Sequence, residues 1–295
     1  SSPVTGVQTC ALPIFTIKAQ YNGYVLADDR TQVVTKGKDA TVVPDTFEGY
    51  VVSQYKLGEN GTLIDAKNGV TVNVTENTDL YLIYTRPDNS VVLPGGDGQI
   101  PAPSDQDNVI VKPGVGTTIE GPKADGSVKI PENGTGTVTR PDPDNKPNGK
   151  EDIIVPGGTT IDKDGTIHLP DNAGTITPEQ KIPEDLPTGY VAITYDSNNS
   201  NQEVKKEIGK AGVLKVSDSL FTDPSNRSFA GWNDSGSGNG KTYAKDTTVS
   251  ANITLYAVWD AQYRYSTNII YKANDGTTNQ RSEERRVGKE CRSRW

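Results

Sequence analysis

Glycine and proline interrupt this chain so often that no long regular element fits between them. The 295 residues include 30 glycines and 19 prolines, only 33% are hydrophobic, and none is methionine. Between these breaks lie short runs of Val, Ile, Thr and Tyr, a pattern typical of strands and turns. So few apolar side chains favour an all-β chain of small sheet modules in tandem over one large core.

The two ends of the chain resemble translated sequencing adapter. Val4–Ile14 and Arg281–Trp295 correspond, codon by codon, to common short-read adapter strings, so residues 1–14 and 281–295 are interpreted as adapter-derived. The alternative is a short apolar N-terminal segment and a basic, nucleic-acid-like tail. We exclude both ends from the fold prediction. Because Cys10 and Cys291 lie in these ends, the remaining chain predicts no disulfide and no thiolate metal site.

Charge and hydropathy exclude two classes of partner. The formal net charge is −8, and the excluded C-terminal end is basic, so the remaining chain is more acidic still. An acidic surface repels nucleic-acid phosphates and anionic lipids. No run is apolar for long enough to span a bilayer, so we expect no membrane insertion, and no pattern indicates an oligomer.

Residues 15–85 predict a first module. Phe15–Tyr21 alternates apolar and polar residues, which allows one face to be buried. Asn22-Gly23 suits a tight hairpin turn. The remaining strands and corner are predicted at Thr41–Pro44, Phe47–Tyr50, Val70–Val74 and Leu80–Tyr84.

This first module resembles the β-grasp repeats of the mucin-binding type. Its opening strand, Gly-Tyr corner and closing Tyr-x-x-Tyr strand follow the order of that family. The family's Y-x-D-x-x-G opening is absent, and Tyr21-Asn-Gly-Tyr24 stands in its place. The resemblance therefore implies a β-grasp-like fold, but mucin binding is not carried over.

Residues 86–189 contain no aromatic residue and repeat internally. The repeat units are 107–139 and 152–177, each with three short strands between glycine turns. Inward-facing residues are expected at Ile161, Ile167, Leu169 and Ile176. Such a thin core cannot offset chain entropy alone, which predicts a repetitive Gly/Pro/Thr-rich β stalk of stacked units. Residues 140–151, rich in Pro, Asp and Asn, predict a flexible or extended linker.

Residues 190–259 carry the most specific pattern. A strand at Tyr190–Asp196 precedes Phe229-Ala-Gly-Trp232, and Leu255-Tyr-Ala-Val-Trp259 closes the segment. F-x-G-W followed by L-Y-A-x-W resembles the Listeria/Bacteroides repeat of the internalin B-repeat type. That resemblance implies a small half-open sheet module of bacterial cell-surface proteins. The expected core residues are Tyr195, Phe229, Trp232, Leu255, Tyr256 and Trp259.

Two further segments complete the C-terminal prediction. Lys205–Gly209 is expected to begin a short helix or turn. Residues 260–280 echo the opening strand of the preceding module, so they predict a truncated module that lacks its partner strands.

Candidate chemistry is sparse. The only histidine, His168, alternates with Ile167 and Leu169, which predicts an outward strand residue in place of a general base. The acidic stretch from Asp142 to Asp152 invites a calcium loop, but Lys146 and Pro147 stand where an oxygen ligand and a glycine belong. A solvated linker is the favoured interpretation. The sequence therefore predicts no catalytic residue, no metal site and no cofactor.

The most consistent function is non-enzymatic. The chain is expected to be part of a multi-repeat, extracellular protein of the bacterial surface or cell wall, acting as adhesin, spacer or both. Its partner would be an unidentified host or cell-surface protein or glycan, bound for example by strand addition. The alternatives are an accessory region of a secreted enzyme and a carbohydrate-binding module. In the latter, tyrosines such as Tyr24, Tyr50 or Tyr243 would stack on sugars, although such tyrosines more often cover small sheets.

Overall fold

A computed structural model describes residues 12–94, 108–143 and 149–260. The described chain is all-β, which confirms the predicted fold class. Its buried apolar residues form three clusters, which follow one another along the chain. We name three units after the sequence segments: the N-terminal unit up to residue 85, the middle unit 86–189 and the C-terminal unit from residue 190.

The N-terminal unit is built on one sheet with the strand order β2-β1-β8-β5-β6. Strand β3 pairs with the same edge of β1 as β2 does, at the other end of that strand. The alternation in β1 buries every second residue, as expected from the sequence. Asn22 and Gly23 both adopt positive φ in the tight β1–β2 turn. A two-stranded ribbon, β4-β7, covers this sheet. The strands are β1 (Ile14–Tyr21), β2 (Tyr24–Val25), β3 (Arg30–Val33), β4 (Asp39–Val42), β5 (Val51–Leu57), β6 (Ile64–Asp65), β7 (Val70–Asn73) and β8 (Thr78–Thr85).

The middle and C-terminal units share one sheet of nine strands, which we call the long sheet. Its order is β20-β19-β21-β17-β18-β13-β12-β10-β9. A four-stranded cover sheet, β11-β14-β15-β16, belongs to the middle unit. The strands of the middle unit are β9 (Val91–Leu93), β10 (Val109–Pro113), β11 (Val128–Lys129), β12 (Thr135–Pro141), β13 (Lys150–Pro156), β14 (Thr160–Ile161), β15 (Ile167–His168) and β16 (Thr175–Ile176). Those of the C-terminal unit are β17 (Tyr190–Asp196), β18 (Val204–Lys210), β19 (Ser228–Asn233), β20 (Thr242–Tyr243) and β21 (Ile253–Asp260).

The N-terminal and C-terminal units have the same sheet topology. In each, the first strand pairs in parallel with the last, β1 with β8 and β17 with β21. In each, the strand beside the last one carries a bulge, at Ser53 in β5 and at Ala230 in β19. The registers make Tyr55 equivalent to Trp232 and Tyr84 equivalent to Trp259. The chain therefore contains one sheet design twice, although the two sequences differ.

The middle unit is more compact than the predicted stalk. Val109, Ile153 and Ile161 share one buried cluster with Val91 ahead of the repeats and Ile182 behind them. Each of the two sheets contains strands of both repeat units: β12 lies beside β13 in the long sheet, whereas its repeat counterpart β16 lies in the cover sheet with β11. Sharing a core provides the burial that neither thin unit could reach alone. The four residues expected to face inward are all buried: Ile161, Ile167, Leu169 and Ile176.

Two local predictions are wrong. Both ends of the predicted linker 140–151 are paired strands, because β12 and β13 pair as far as Pro141 and Lys150, and residues 144–148 lie outside the described residues. The predicted helix or turn at Lys205–Gly209 lies within strand β18, which pairs with neighbours on both sides. The prediction for 260–280 falls, apart from Asp260, outside the described residues.

Strands buried on both faces connect the three clusters. In β9 and β10, Val92 and Ile110 pack into the N-terminal cluster while their neighbours pack into the middle one. In β17, Tyr190 and Ala192 belong to the middle cluster, whereas Val191, Ile193 and Tyr195 belong to the C-terminal cluster. Consecutive side chains of a strand point to opposite faces, so one strand can serve two cores. Among the described residues, no helix is long and apolar enough to cross a membrane.

Candidate functional site

The most elaborate polar structure in the molecule lies where β13 of the middle unit meets β18 of the C-terminal unit. The two strands pair in parallel over only three residues each, Asp152–Ile154 with Lys205–Glu207. We call this contact the junction. It combines a buried charge network, an apolar contact and a cleft, and each part is set by the alternation of side chains along β13 and β18.

Three buried charged side chains cross the junction. Glu151 accepts a hydrogen bond from Arg140 Nε at 2.7 Å and another from Lys206 Nζ at 2.7 Å. The Arg140 guanidinium also donates to the carbonyl oxygens of Thr177 at 2.7 Å and Gln180 at 2.5 Å. The side chains of Arg140, Glu151 and Lys206 are between 0% and 5% exposed. Every charge is thus paired, which is the condition under which charges are tolerated in a protein interior.

Next to these charges the junction is apolar. Tyr190, Ala192 and Ile208 of the C-terminal unit pack into the cluster of the middle unit, which contains Ile153 and Val155. Ile208 is 2% exposed. The C-terminal unit therefore completes the core of the middle unit.

The opposite face of β18 carries a second polar cluster. The Glu207 carboxylate accepts hydrogen bonds from Tyr195 Oη at 3.0 Å and from Ser217 Oγ at 2.8 Å. Burial raises the pKa of Glu207 above its ordinary range, although the two hydroxyl donors partly oppose this shift. Burial, together with the neighbouring Glu207 carboxylate, also raises the pKa of Tyr195.

Beyond Ile154 and Glu207 the ladder between β13 and β18 ends, and a cleft of about 500 Å³ lies along both strands. Pro156, Ile208 and Leu214 contribute to its apolar lining. Tyr190 also lines the cleft, and its hydroxyl is buried without a hydrogen-bond partner among the described residues. The cleft is amphipathic, because its lining also includes six charged residues: Glu207, Lys210, Lys215, Asp218, Lys245 and Asp246.

A larger and polar cleft of about 800 Å³ lies on the other side of the charge network. Asp142, Asn198 and Glu203 are among its lining residues. No group of three or more potential metal-ligating side chains occurs in the described ranges. Asp142 lies at the end of the β12–β13 hairpin and its amide donates to Gly149, whereas Asp144 of the hypothetical calcium loop lies outside the described residues.

His168 takes the place expected for an outward strand residue. Its ring Nε2 lies 2.7 Å from Asp162 Oδ2, and the two side chains are 41% and 44% exposed. A histidine–carboxylate pair can orient a general base, but no hydroxyl or thiol contact of this ring is recorded in the described residues. The pair therefore has the geometry of a surface interaction.

Five of the six predicted core residues of the C-terminal unit come together. Tyr195, Trp232 and Leu255 are buried, and Phe229 and Trp259 pack against them while half-buried. The rings form edge contacts, with 5.0 Å between the centroids of Phe229 and Trp232. The two indole nitrogens donate to the carbonyl oxygens of Ser217 and Ser197.

Tyr256 is the exception, because it lies on the opposite face of β21. Leu255 and Ala257 on either side of it belong to the buried cluster, and Tyr256 instead contacts the loop near Gly236. The period-two alternation of a strand was the signal that could have placed it there. Its equivalent in the N-terminal unit, Tyr81, occupies the same open face beneath Lys56 Nζ, 5.1 Å from the ring centroid.

Sequence reasoning missed the charge network. Arg140, Glu151 and Lys206 each stand two residues from a buried aliphatic side chain of the same strand, at Val138, Ile153 and Ile208. A charged residue on the same face of a strand as its buried aliphatic residues is therefore the signal that could have found them. The pairing of the three strands, however, is not contained in local sequence.

Comparisons with known proteins find no matching family model, no matching curated protein and no matching solved structure. The functional conclusion consequently rests on the residues and geometry of this chain.

Replacement of Trp232 by alanine is expected to destabilise the protein by about 3–5 kcal/mol, because it removes the largest fully buried side chain of the C-terminal cluster. Tyr256→Ala, one strand over and on the open face, is the matched control and should cost about 1 kcal/mol. Urea denaturation followed by near-UV circular dichroism measures both. Equal losses would contradict the assignment of the two faces.

The Glu151→Gln variant should lose about 3–5 kcal/mol of unfolding free energy, because Arg140 and Lys206 stay buried without a carboxylate. Replacing all three residues together, as Arg140→Met, Glu151→Leu and Lys206→Met, should recover most of that loss. The control is Glu132→Gln, which breaks an exposed pair with Lys129 and should leave stability nearly unchanged. Chemical denaturation measures the unfolding free energy of each variant. An unchanged unfolding free energy of Glu151→Gln would refute the importance of the network.

Stability should depend on pH through Glu207. A carboxyl whose pKa is raised by folding stabilises the folded state below its ordinary value of 4.5, and this contribution is lost as the pH rises through the folded pKa. Glu207→Gln mimics the protonated form, so we expect it to be more stable than the parent at pH 8 and equally stable at pH 4. Urea midpoints at both pH values test this, with exposed Glu203→Gln as control. A gain of the same size at both pH values would contradict the mechanism.

Proposed function

We propose that this chain is a non-enzymatic part of a multi-repeat bacterial cell-surface protein, in which it acts as adhesin, spacer or both. The observation that carries the proposal is the junction. Two units with different sequences share one sheet, part of one core and a buried charge network, so we expect them to act as a single stiff body. A stiff series of units can hold a distal binding domain away from an envelope, whereas flexibly linked units collapse.

The repeated sheet design gives independent support. One topology, with the same parallel strand pair and the same bulge position, occurs on both sides of the middle unit. Architectures that recur within one chain are typical of proteins that grow by adding units. The F-x-G-W and L-Y-A-x-W motifs, which resemble the Listeria/Bacteroides repeat, favour an extracellular surface location.

The adhesive part of the function would use strand edges and open faces. Extended peptides bind sheet edges through backbone hydrogen bonds, and pockets beside the edge select side chains. The cleft along β18 offers an aliphatic pocket of this kind, lined by Ile208 and Leu214. The partner would be a host or neighbouring-cell protein, and the acidic chain disfavours nucleic acid.

A sugar-binding role is the second candidate. Tyr81 and Tyr256 occupy equivalent positions on the open faces of two sheets, and tyrosine faces stack on sugar rings. Tyr50, in contrast, is 6% exposed and belongs to the core. Titration of the chain against a glycan panel, with Tyr256→Ala as the matched variant, tests this role. Absence of binding at millimolar sugar would exclude it.

Surface display of the parent protein is the primary test. An antibody raised against residues 15–260 should label intact, unpermeabilised source cells, and external protease should abolish the label. Recovery of the uninterrupted gene by long-read sequencing should show an export signal and further units. Labelling only after permeabilisation would refute the surface location. A neighbouring domain with a nucleophile, base or metal cluster would instead favour the accessory region of a secreted enzyme.

A further inference from the structure

The two equivalent units differ in what covers one edge of their sheets. Aligning the bulge of β5 with that of β19 makes Leu80 in β8 equivalent to Leu255 in β21. These two residues pair with Ile17 and Tyr195 in the parallel registers, so Ile17 is equivalent to Tyr195. The antiparallel registers then make β3 equivalent to β18. The equivalent pairs are Arg30 with Lys205, Thr31 with Lys206, Gln32 with Glu207, and Val33 with Ile208.

The side chains of β3 and β18 point in matching directions. Arg30 and Gln32 turn towards the core side and bond to the following segment, with Arg30 Nε 2.9 Å from Asp45 Oδ2. Lys205 and Glu207 do the same in the C-terminal unit. Thr31 and Val33 therefore share the face on which Lys206 and Ile208 meet the middle unit.

The outer edge of β18 is occupied and that of β3 is open. β13 pairs with Lys205–Glu207 and buries the residues beside them, so that Ile208 is 2% exposed. Among the described residues no strand pairs with the outer edge of β3, and Val33 is 59% exposed. Val25, further along this edge, is 61% exposed. An open edge with exposed apolar side chains is a template for strand pairing.

We propose that the outer edge of β3 is a docking edge for a parallel strand of the β13 type, supplied by another unit of the middle type. The occupant is defined by what sits on the equivalent edge: an extended strand with acidic residues at its start, Glu151 and Asp152, followed by alternating apolar residues, Ile153 and Val155. Val33 would meet the aliphatic residues of that strand, as Ile208 does. The proposal rests on the proposed function, because it requires that middle-type units recur.

The equivalence also fixes how such a unit would join. Ala192 is equivalent to Ile14, since they pair with Ile208 and Val33. A copy of residues 86–189 fused directly before Leu12 would thus enter β1 at the position where the native segment enters β17. In the fused chain we expect amide hydrogen exchange of Arg30–Val33 to slow by at least about tenfold relative to the unfused chain.

Two substitutions provide matched controls. Val33→Lys should leave the unfused chain unchanged, because this side chain is exposed there, but it should abolish the added protection in the fusion. Thr31→Lys places an ammonium group where Lys206 pairs with Glu151, so it should increase protection in the fusion alone. Unchanged exchange at β3 in a fusion whose added copy is itself protected would overturn the proposal.

A peptide experiment decides the case in which the fusion does not fold. A synthetic peptide with the sequence of residues 149–157 is titrated into the full chain and followed by nuclear magnetic resonance. We expect shifts at Arg30–Val33 that Val33→Lys removes. No shift there, or an equal response at the β6 edge, would overturn the docking edge. Surface labelling of cells does not depend on β3, so the two proposals can fail separately.

Discussion

The burial of β17 on both faces is the constraint on which the arrangement of the middle and C-terminal cores depends. A small sheet unit with few apolar residues cannot bury enough surface to offset the entropy of its own chain. In β17, alternate side chains serve two clusters, so each residue of Tyr190–Tyr195 except Thr194 is buried. The middle unit gains Tyr190 and Ala192, and the C-terminal unit gains a rigid first strand.

The charge network beside this strand defines how the units fit together. Shifting β18 by one residue against β13 would turn Lys206 and Ile208 to the wrong face, because side chains alternate with a period of two. Glu151 would then be buried without Lys206. A buried ion pair adds little net stability over an apolar contact, but a broken one is costly. We therefore interpret Arg140, Glu151 and Lys206 as a device that selects one register at a short, three-residue ladder.

Two sheets of one topology show how a single design is adapted to different neighbours. The shared elements are the central parallel pair and the bulge, which direct Tyr55 and Trp232 into their cores. The two sheets differ at the outer edge of the strand that pairs with the first strand, β3 in one and β18 in the other. Strand β18, which pairs with the middle unit, carries Lys206 and Ile208. Strand β3, whose outer edge pairs with no described strand, carries Thr31 and Val33 at the equivalent positions. Function in such a chain lies in the contacts between units more than in any one unit.

The sequence by itself determined the all-β class, several strands and turns, and the buried residues of the most regular segments. These follow from local signals: the alternation in Phe15–Tyr21, the Asn22-Gly23 turn, and the spacing of Ile161, Ile167 and Ile176. Only the tertiary structure decided that Lys205–Gly209 is a strand, that the ends of 140–151 are paired, and that each sheet of the middle unit contains strands of both repeat units. The physical reason is that these outcomes depend on partners far away in sequence. Lys206 is extended because β17 and β13 flank it, and the Arg140 and Glu151 charges become buried only when Lys206 and the 177–180 segment close over them.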